Sequence, residues 1–525
     1  MDTLEADYVI VGAGSAGCVV AARLSEDPSL EVILLEAGAK QPSFLNDIPA
    51  MTLRLIGRRN TDWLHRGEPD PSANGRTLVW HAGKMLGGSS AINGTVYIRG
   101  LKRDYDDWAA AGCAGRAWDD VTPYFRRAER FESDRQGSMG TSGSLSVSLP
   151  QDPHILSQAF VEACAEVGLP TLADYNLGVS EGAFIGLSSQ RRGQRCSAAR
   201  AYLLPAARRP NLRVIRGAEA QTLGFEGRRA STVRLVGGQV IRARREIILS
   251  AGALQSPALL LRSGIGPAED LRALDIEVIA DSPEVGANLQ DHVCAGGRRF
   301  VNVATYNSEA SAIGALKHLY KYLTARKGAL ASPVIQAMGW ARSRADLDEP
   351  DLQLSCMPFG VTYDGDRPQI VPEPCVSVGF ALARPHARGR IRLRHKTGPA
   401  SISFSMLADP RDVASIVGGL RLCDRIFDAA PLARFVTQDT SYRGLSDEQL
   451  VEVIRNYAQL GMHTVGTCRM GGDDRSVTDT ALRVRGVEGL RVIDASIMPR
   501  LPSANTNAAS IMIGEKGAAH VREAA

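Results

Sequence analysis

The sequence predicts an α/β protein, with a Rossmann-like domain on a parallel sheet and a discontinuous second, α+β domain on a mainly antiparallel sheet. Three observations predict this class. A strand, a glycine-rich turn, a helix and a second strand follow one another within residues 7–38. Strand-like and helical pieces alternate from 300 to 440, and glycine and small residues return from 458 to 523. At 525 residues the chain exceeds the size of a single core, so we expect two or more domains.

The first elements follow the order of a βαβ unit. Residues 8–11 form a short, β-branched apolar run, which predicts a buried strand. The glycine-rich turn 12–17 leads directly into residues 18–24, whose apolar spacing predicts a helix. A second predicted strand, 31–35, ends in Glu36.

The three glycines of the turn each meet a different steric demand. Gly12 permits the tight turn, Gly14 lets the backbone approach a pyrophosphate, and Gly17 lets the helix pack against the strand. The pyrophosphate would lie at the helix N-terminus, where free N–H groups and the helix dipole favour an anion. Glu36 stands 24 positions after Gly12, which suits the ribose hydroxyls. The unit therefore predicts dinucleotide binding, of NAD or FAD alike, with a βαβ unit that merely packs as the alternative.

Composition and charge argue against several classes of protein. Hydrophobic residues make up 44% and charged residues 22%, as in ordinary globular proteins, and a net charge of +4 does not predict nucleic-acid binding. No apolar run approaches membrane-spanning length, and the first residues are acidic where a signal peptide is basic. We therefore expect a cytoplasmic protein without a transmembrane segment. Nine cysteines without a CxxC pair and nine histidines without an HExxH set predict reduced thiols and no metal.

The glycine-rich character of the C-terminal stretch indicates that the first domain is discontinuous. We predict that residues 1–150, 190–300 and 445–525 form the nucleotide-binding domain. Residues 151–189 and 301–444 then form the substrate-binding domain, where the antiparallel sheet is expected.

The final segment contains the candidate catalytic residue, His463. It stands within the glycine-framed turn 461–471, and Asn507 follows 44 residues later. Between them a predicted strand ends at Asp494 in a turn of small residues. An imidazole with a pKa near ~6.5 accepts a proton at neutral pH, so His463 is a candidate general base. A purely structural histidine is the alternative that these residues alone leave open.

Eight sequence blocks, in one order, carry a resemblance to a known family. They are GAGSAG with LLEAG, GKMLGGSSAINGTVYIRG, RCSAARAYL, SAGALQSPALLLRSGIGP, VGANLQDH, HTVGTCRMG, VIDASIMP and NTNAASIMIGEK. In these blocks the chain resembles the glucose–methanol–choline (GMC) oxidoreductases, which are FAD-dependent alcohol-oxidising enzymes, and especially their choline dehydrogenase-like branch. Between 300 and 440 the resemblance is thin, as expected where a substrate domain varies with its substrate.

The resemblance implies that the first domain binds FAD. Residues 12–17 would hold the pyrophosphate, Glu36 the adenosine ribose, and residues 88–96 the isoalloxazine ring. Residues 494–495 would meet the diphosphate and ribityl chain, and 505–506 the pyrimidine side of the flavin. The implied cofactor residues are Gly12, Gly14, Ser15, Ala16, Gly17, Glu36, Ala37, Gly88, Ser89, Asn93, Gly94, Val96, Ala220, Asp494, Ala495, Asn505 and Thr506.

Three positions depart from the usual residues of the family. Ala220 matches the position whose backbone meets the adenine, where valine is usual. Ile92 stands where some members carry a histidine bonded to FAD, so we expect FAD to be bound noncovalently. Met462 precedes His463, where relatives often have an aromatic residue, which predicts a more adaptable wall.

The resemblance also implies the reaction, with His463 as the catalytic base and Asn507 as its partner. The hydroxyl proton of a primary alcohol would go to His463 and its hydride to flavin N5, giving an aldehyde. Asn507 would orient the alcohol, and O2 or a quinone-like acceptor would reoxidise the flavin. A lyase of the same fold that cleaves a cyanohydrin with FAD in a structural role is one alternative, and an NAD enzyme is another. The alcohol stays open among choline, aryl, furfuryl, pyridoxine-like and aliphatic alcohols.

Overall fold

A computed structural model describes residues 4–131, 137–178, 181–308, 312–364 and 367–524. Its strands are β1 (Leu4–Val11), β2 (Val32–Glu36), β3 (His65–Asp70), β4 (Arg76–Trp80), β5 (Val96–Tyr97), β6 (Glu129–Phe131), β7 (Leu145–Val147), β8 (Gly182–Ile185), β9 (Leu187–Ser188), β10 (Gln190–Arg191), β11 (Gln194–Arg195), β12 (Leu212–Arg216), β13 (Ala220–Glu226), β14 (Arg229–Leu235), β15 (Val240–Leu249), β16 (Ile265–Gly266), β17 (Ala280–Asp281), β18 (Val293–Val301), β19 (Ala337–Ala341), β20 (Leu352–Met357), β21 (Val361–Asp364), β22 (Arg367–Ile370), β23 (Cys375–Leu382), β24 (Gly389–Arg392), β25 (Ser401–Phe404), β26 (Val436–Gln438), β27 (Gln459–Leu460) and β28 (Leu490–Val492).

The helices connect these strands and cover the sheets. They are α1 (Ser15–Leu24), α2 (Phe44–Asp47), α3 (Thr52–Leu55), α4 (Lys102–Ala110), α5 (Trp118–Ala128), α6 (Ile155–Glu166), α7 (Leu204–Ala206), α8 (Gly252–Arg262), α9 (Ala268–Arg272), α10 (Ala312–Ala325), α11 (Pro410–Asp428), α12 (Ala430–Ala433), α13 (Asp447–Tyr457) and α14 (Thr506–Glu523). Short 3₁₀ turns at Gly88–Ala91, Ala329–Ala331 and Ala495–Ile497 matter for the site and its surroundings.

The first sheet, sheet A, has the strand order β12-β2-β1-β15-β14-β13, and β28 also pairs with β15. Strands β12, β2, β1, β15 and β28 run parallel, and β13 and β14 add an antiparallel edge. Residues 8–11 of β1 are all buried, as expected for a central parallel strand covered on both faces. The predicted parallel sheet of a Rossmann-like domain is therefore confirmed.

Close backbone approach joins α1 to the turn before it and to α14. Gly12 has φ +102°, a conformation that side chains other than glycine rarely adopt. A Cβ on Gly17 would lie 1.9 Å from the Gly12 carbonyl oxygen, so only glycine lets α1 leave the turn in this direction. A Cβ on Gly514 would lie 2.9 Å from Val19 Cβ, so α14 packs directly against α1.

The second sheet, sheet B, is antiparallel throughout, with the order β26-β18-β23-β20-β19-β8 and with β27 also paired to β18. Helix α11 covers it with a buried stripe at helical spacing, formed by Ile416, Leu420, Cys423 and Phe427. The predicted antiparallel sheet is confirmed.

We propose that the two sheets are the centres of the two domains. Sheet A takes its strands from residues 4–249 and from β28, so it is closed by the C-terminal part of the chain. Sheet B includes β18, which begins at Val293, and β27, which lies beyond residue 445. We therefore assign these two strands to the second domain, although the sequence-based division gave most of β18 and all of β27 to the first. Across the described ranges, no helix is long and apolar enough to cross a bilayer.

Candidate active site

The predicted site residues gather where the carboxyl ends of β1, β15 and β28 meet. The turn 12–17 follows β1, residues 250–252 follow β15, and Asp494 follows β28. Ligands of open α/β sheets bind at this edge because loops and helix N-termini converge there. The first residue of α14, Thr506, reaches the same edge and brings the C-terminal segment to the site.

Glu36 holds the glycine-rich turn from the end of β2. Its carboxylate accepts hydrogen bonds from the backbone N–H of Ala13 (2.9 Å) and of Gly38 (2.8 Å). The side chain is buried, and burial raises the pKa of its carboxyl to about 7. Glu36 therefore fixes the conformation of the turn, and its contact with a ribose stays a prediction.

Asp494 ties the end of β28 to the start of α8. Its buried carboxylate accepts hydrogen bonds from the N–H of Gly252 (2.8 Å), the hydroxyl of Ser256 and the N–H and hydroxyl of Ser496. Burial is the main cause that raises its pKa. Because protein donors occupy this carboxylate on two sides, Asp494 sets the shape of the edge.

The edge has the surface expected of a diphosphate cradle. Gly12, Gly14 and Ser15 are half-buried, whereas Ala13 and Ala16 beside them are buried. No side chain caps the first turn of α1, so its N–H groups and its dipole favour an anion there. A Cβ on Gly88 would lie 2.8 Å from Gly14 Cα, so a side chain at Gly88 would collide with the backbone of the glycine-rich turn. These residues fit the diphosphate of a dinucleotide.

A buried arginine holds the segment that contains Asn93 in place. Arg195 donates to the side-chain oxygen of Asn93 (2.8 Å), to its backbone oxygen, and to the hydroxyl of Thr52 (3.0 Å). Burial lowers the pKa of the Arg195 guanidinium to about 9. Thr95 has φ +62°, a left-handed conformation that is strained for a β-branched residue and is common at functional sites. Arg195 stands in one of the eight blocks, but no feature of the sequence marks it as a site residue.

His463 contacts three side chains, two through its ring and one, a carboxylate, through its backbone N–H. Its Nε2 lies 2.9 Å from Asn505 Nδ2, and its Nδ1 lies 2.8 Å from Nδ1 of His292. Its backbone N–H donates to Asp291 (2.7 Å), whose other oxygen accepts from the indole of Trp80 (2.9 Å). Burial lowers the pKa of His463 to about 4, so its imidazole is neutral at neutral pH.

The hydrogen bonds assign the proton of each imidazole. His292 Nε2 lies 3.1 Å from the carbonyl oxygen of Pro502, which can only accept, so this nitrogen carries the hydrogen. His292 is buried and its pKa is well below the usual value, so it is neutral and its Nδ1 is an acceptor. His463 Nδ1 must therefore donate to it. The lone pair of His463 then lies on Nε2, which faces the amide of Asn505.

Asn505, not Asn507, meets His463, which corrects the predicted pair. The side-chain oxygen of Asn507 accepts from the hydroxyl of Ser15 (2.7 Å), in the first turn of α1. Asn505 is the N-cap of α14 and Asn507 is its second residue, so their side chains point to opposite sides of the helix start. The structure thus brings Asn507 to the glycine-rich turn before α1 and Asn505 to the histidine.

Three residues that sequence reasoning did not select shape the surroundings of His463. His292 and Asp291 end the VGANLQDH block, whose resemblance gave them no role. Gln353, in β20, donates to the side-chain oxygen of Asn505 (3.1 Å) and so turns its NH2 group toward His463. No sequence motif marks Gln353, because it reaches the site from sheet B.

The other predicted positions fall in the following elements. Ala16 and Gly17 are buried in α1, Ala37 follows β2, Ser89 is exposed in the turn Gly88–Ala91, Gly94 follows Asn93, Val96 begins β5, Ala220 begins β13, and Ala495 follows Asp494. In the part of the chain that the structure describes, no three His, Cys, Asp or Glu side chains form a metal-binding group.

Comparisons with known proteins agree over the whole chain. Two family profiles described as GMC oxidoreductase match residues 6–294 and 385–514. The chain is 38% identical to the oxygen-dependent choline dehydrogenase of Brucella anthropi, over 99% of this chain and 96% of that protein. It is also 38% identical to an alcohol dehydrogenase (acceptor) of Pseudomonas putida, over 98% of this chain and 95% of that protein. Among solved structures, pyridoxine 4-oxidase from Mesorbium loti has a TM-score of 0.88 at 31% identity, with 99% of both chains covered.

Proposed function

The chain belongs to the GMC oxidoreductase family and is an FAD-dependent oxidoreductase of CH–OH donors, and we propose that it oxidises a primary alcohol to an aldehyde with His463 as general base. The observation that supports this role is the assigned tautomer of His463. Its unprotonated Nε2 faces the amide of Asn505, whereas its Nδ1–H is held by His292. This arrangement leaves a basic nitrogen beside a hydrogen-bond donor.

The turn 12–17 and the first N–H groups of α1 would hold the diphosphate of FAD, and the loop 88–94 would lie against its ring system. When bound, FAD supplies the acceptor for the hydride, at N5 of the flavin. We propose that FAD is held without a covalent link. Ile92 supports this, because it is an alkyl side chain buried in a small cluster with Leu55 and Met85.

His463 would take the hydroxyl proton of the alcohol on Nε2 as the hydride leaves the carbon. An alcohol oxygen that replaces the 2.9 Å hydrogen bond between His463 Nε2 and Asn505 Nδ2 can donate to the first nitrogen and accept from the second. Asn505 would then stabilise the developing alkoxide. His292 would hold the ring of His463 in place and accept from its Nδ1–H while Nε2 gains the proton. Burial makes the resulting imidazolium costly, which favours return of the proton to solvent after turnover.

The test is anaerobic mixing of the purified enzyme with a panel of choline, benzyl, furfuryl and aliphatic alcohols and pyridoxine. We expect at least one alcohol to bleach the oxidised flavin band in a single turnover, with one equivalent of aldehyde. A product formed from a cyanohydrin while the flavin stays oxidised would support the lyase instead. If no alcohol bleaches the flavin and no cyanohydrin is cleaved, the proposed reaction is wrong.

The same panel identifies the electron acceptor. Steady-state turnover is measured in parallel with O2 and with an artificial quinone-like acceptor under argon. Turnover with O2 and release of hydrogen peroxide would define an oxidase. Turnover with the quinone-like acceptor alone would define a dehydrogenase.

A further inference from the structure

The strongly exposed apolar side chains of this protein are concentrated on one surface. Among the described residues twelve large apolar side chains are strongly exposed, and six of these lie on the neighbouring helices α2 and α10. They are Phe44, Leu45, Leu316, Leu319, Tyr320 and Leu323. We call them the α2–α10 surface. Isolated exposed apolar residues need no explanation, but a contiguous group marks an interaction site.

Helix α10 presents these side chains as a stripe. Leu316, Leu319, Tyr320 and Leu323 follow the spacing i, i+3, i+4 and i+7, and they are exposed by 69%, 37%, 69% and 53%. The opposite face contains buried His318 and Tyr322, which anchor the helix to the protein. The ring of Tyr322 packs edge-to-face against Phe44, with 6.3 Å between ring centroids, so α2 is a direct neighbour of α10.

Cationic side chains border the apolar stripe. Lys321 and Lys327 are exposed beside it, and the sequence from 310 to 345 contains no aspartate or glutamate. On α2 the single acid, Asp47, is paired with Arg200. The surface therefore combines exposed leucine and aromatic side chains with positive charge, the combination that binds anionic lipid surfaces.

We propose that the α2–α10 surface docks the enzyme on an anionic lipid bilayer, with α10 lying in the plane of the interface. A helix of this length extends about 21 Å, enough to insert all four stripe residues between lipid headgroups at once. A second copy of the chain fits less well. A two-fold contact centred on this stripe would bring the Lys321 side chains of the two copies close together, where like charges repel.

A short segment of chain connects the α2–α10 surface to the candidate site. The chain runs from the end of α10 through the turn Ala329–Ala331 to Val334. A Cβ on Gly94 would meet the side chain of Val334 at 3.6 Å, and Gly94 belongs to the loop predicted to face the flavin. Docking through α10 would therefore bring the site close to the bilayer surface. This placement does not depend on which alcohol is oxidised.

The test is flotation of the FAD-loaded enzyme with vesicles of phosphatidylcholine alone, or of phosphatidylcholine with about a third phosphatidylglycerol. We expect at least ~10-fold stronger binding to the anionic vesicles, weakened by salt, since each lysine near such a surface contributes roughly fivefold. The double variant Leu316→Ser/Leu323→Ser should lose at least ~10-fold of this binding. Lys321→Glu/Lys327→Glu should remove the preference for anionic vesicles.

The matched control is Val236→Ser/Tyr457→Ser, which removes two strongly exposed apolar side chains outside the α2–α10 surface. It should bind vesicles like the unchanged enzyme. Flavin content and circular dichroism verify that every variant is folded. Three results would overturn the proposal: no flotation of the unchanged enzyme, an equal loss in the control variant, or a lipid-free dimer that the leucine substitutions dissociate. Because the experiment measures vesicle binding, its result does not depend on whether the proposed reaction is correct.

Discussion

Replacing His292 by leucine removes the acceptor that assigns the tautomer of His463 while keeping a side chain of similar size. In the unchanged protein His292 Nδ1 accepts from His463 Nδ1–H at 2.8 Å, and its own Nε2–H meets the Pro502 carbonyl at 3.1 Å. Leucine can do neither. The Nδ1–H of His463 then has no acceptor in a buried site. This raises the free energy of the Nδ1–H tautomer relative to the tautomer that carries its hydrogen on Nε2, next to the alcohol.

The size of the effect follows from the hydrogen bond that is lost. Leaving a buried donor unsatisfied costs about 1–3 kcal/mol, which makes the productive tautomer roughly 5- to 150-fold less populated. We therefore expect His292→Leu to slow flavin reduction by a factor within that range. His292→Gln keeps an oxygen that can accept from His463 and an NH2 group that can donate to Pro502, so its rate should stay within about fivefold.

The assay is stopped-flow reduction of the flavin by a saturating alcohol under argon, scaled to the flavin content of each variant. Thermal unfolding of both variants shows how much of the loss comes from stability. A merely structural role for His292 would slow the glutamine and leucine variants alike. Equal rates in the two variants, or an unchanged rate in His292→Leu, would refute the argument from the tautomer.

Four further predictions follow from the same geometry. His463→Ala should slow flavin reduction by at least ~10²-fold with FAD still bound, and a rate near that of the unchanged enzyme would refute the assigned base. Asn505→Ala should slow the same step by at least ~10-fold. Asn507→Ala loses the contact with Ser15 and should chiefly weaken FAD retention. The reverse pattern would support Asn507 as the partner of His463. Burial lowers the pKa of His463 to about 4, so the base is unprotonated above that pH and protonated below it. We therefore expect kcat/KM to fall only as the pH drops from about 5 toward 4. A fall of kcat/KM near ~6.5 would contradict this. Acid precipitation should release all of the flavin into the supernatant, because Ile92 offers no atom for a covalent bond; flavin retained in the pellet would disprove this.

The sequence was most informative where backbone geometry alone limits the choice of residue. The glycines at 12 and 17 were predicted from a pattern, and the structure gives the reason, a left-handed turn and a helix that leaves it in contact with its own turn. Strand β1 was also predictable, because a central parallel strand needs apolar residues on both faces. Strand β27 was not, because two residues that pair across to β18 carry no periodic signal.

The sequence by itself indicated the family, the glycine-rich turn at the edge of sheet A and the candidate histidine, because each depends on a short block of residues that are close in the chain. Only the tertiary structure decided which asparagine meets His463. Asn505 and Asn507 belong to one motif, and their directions differ because the start of α14 turns them to opposite sides. The same is true of His292, which stands 171 residues before His463. The hydrogen on the His463 ring is assigned from the hydrogen bonds of His292. These two residues are brought together only when both sheets are folded.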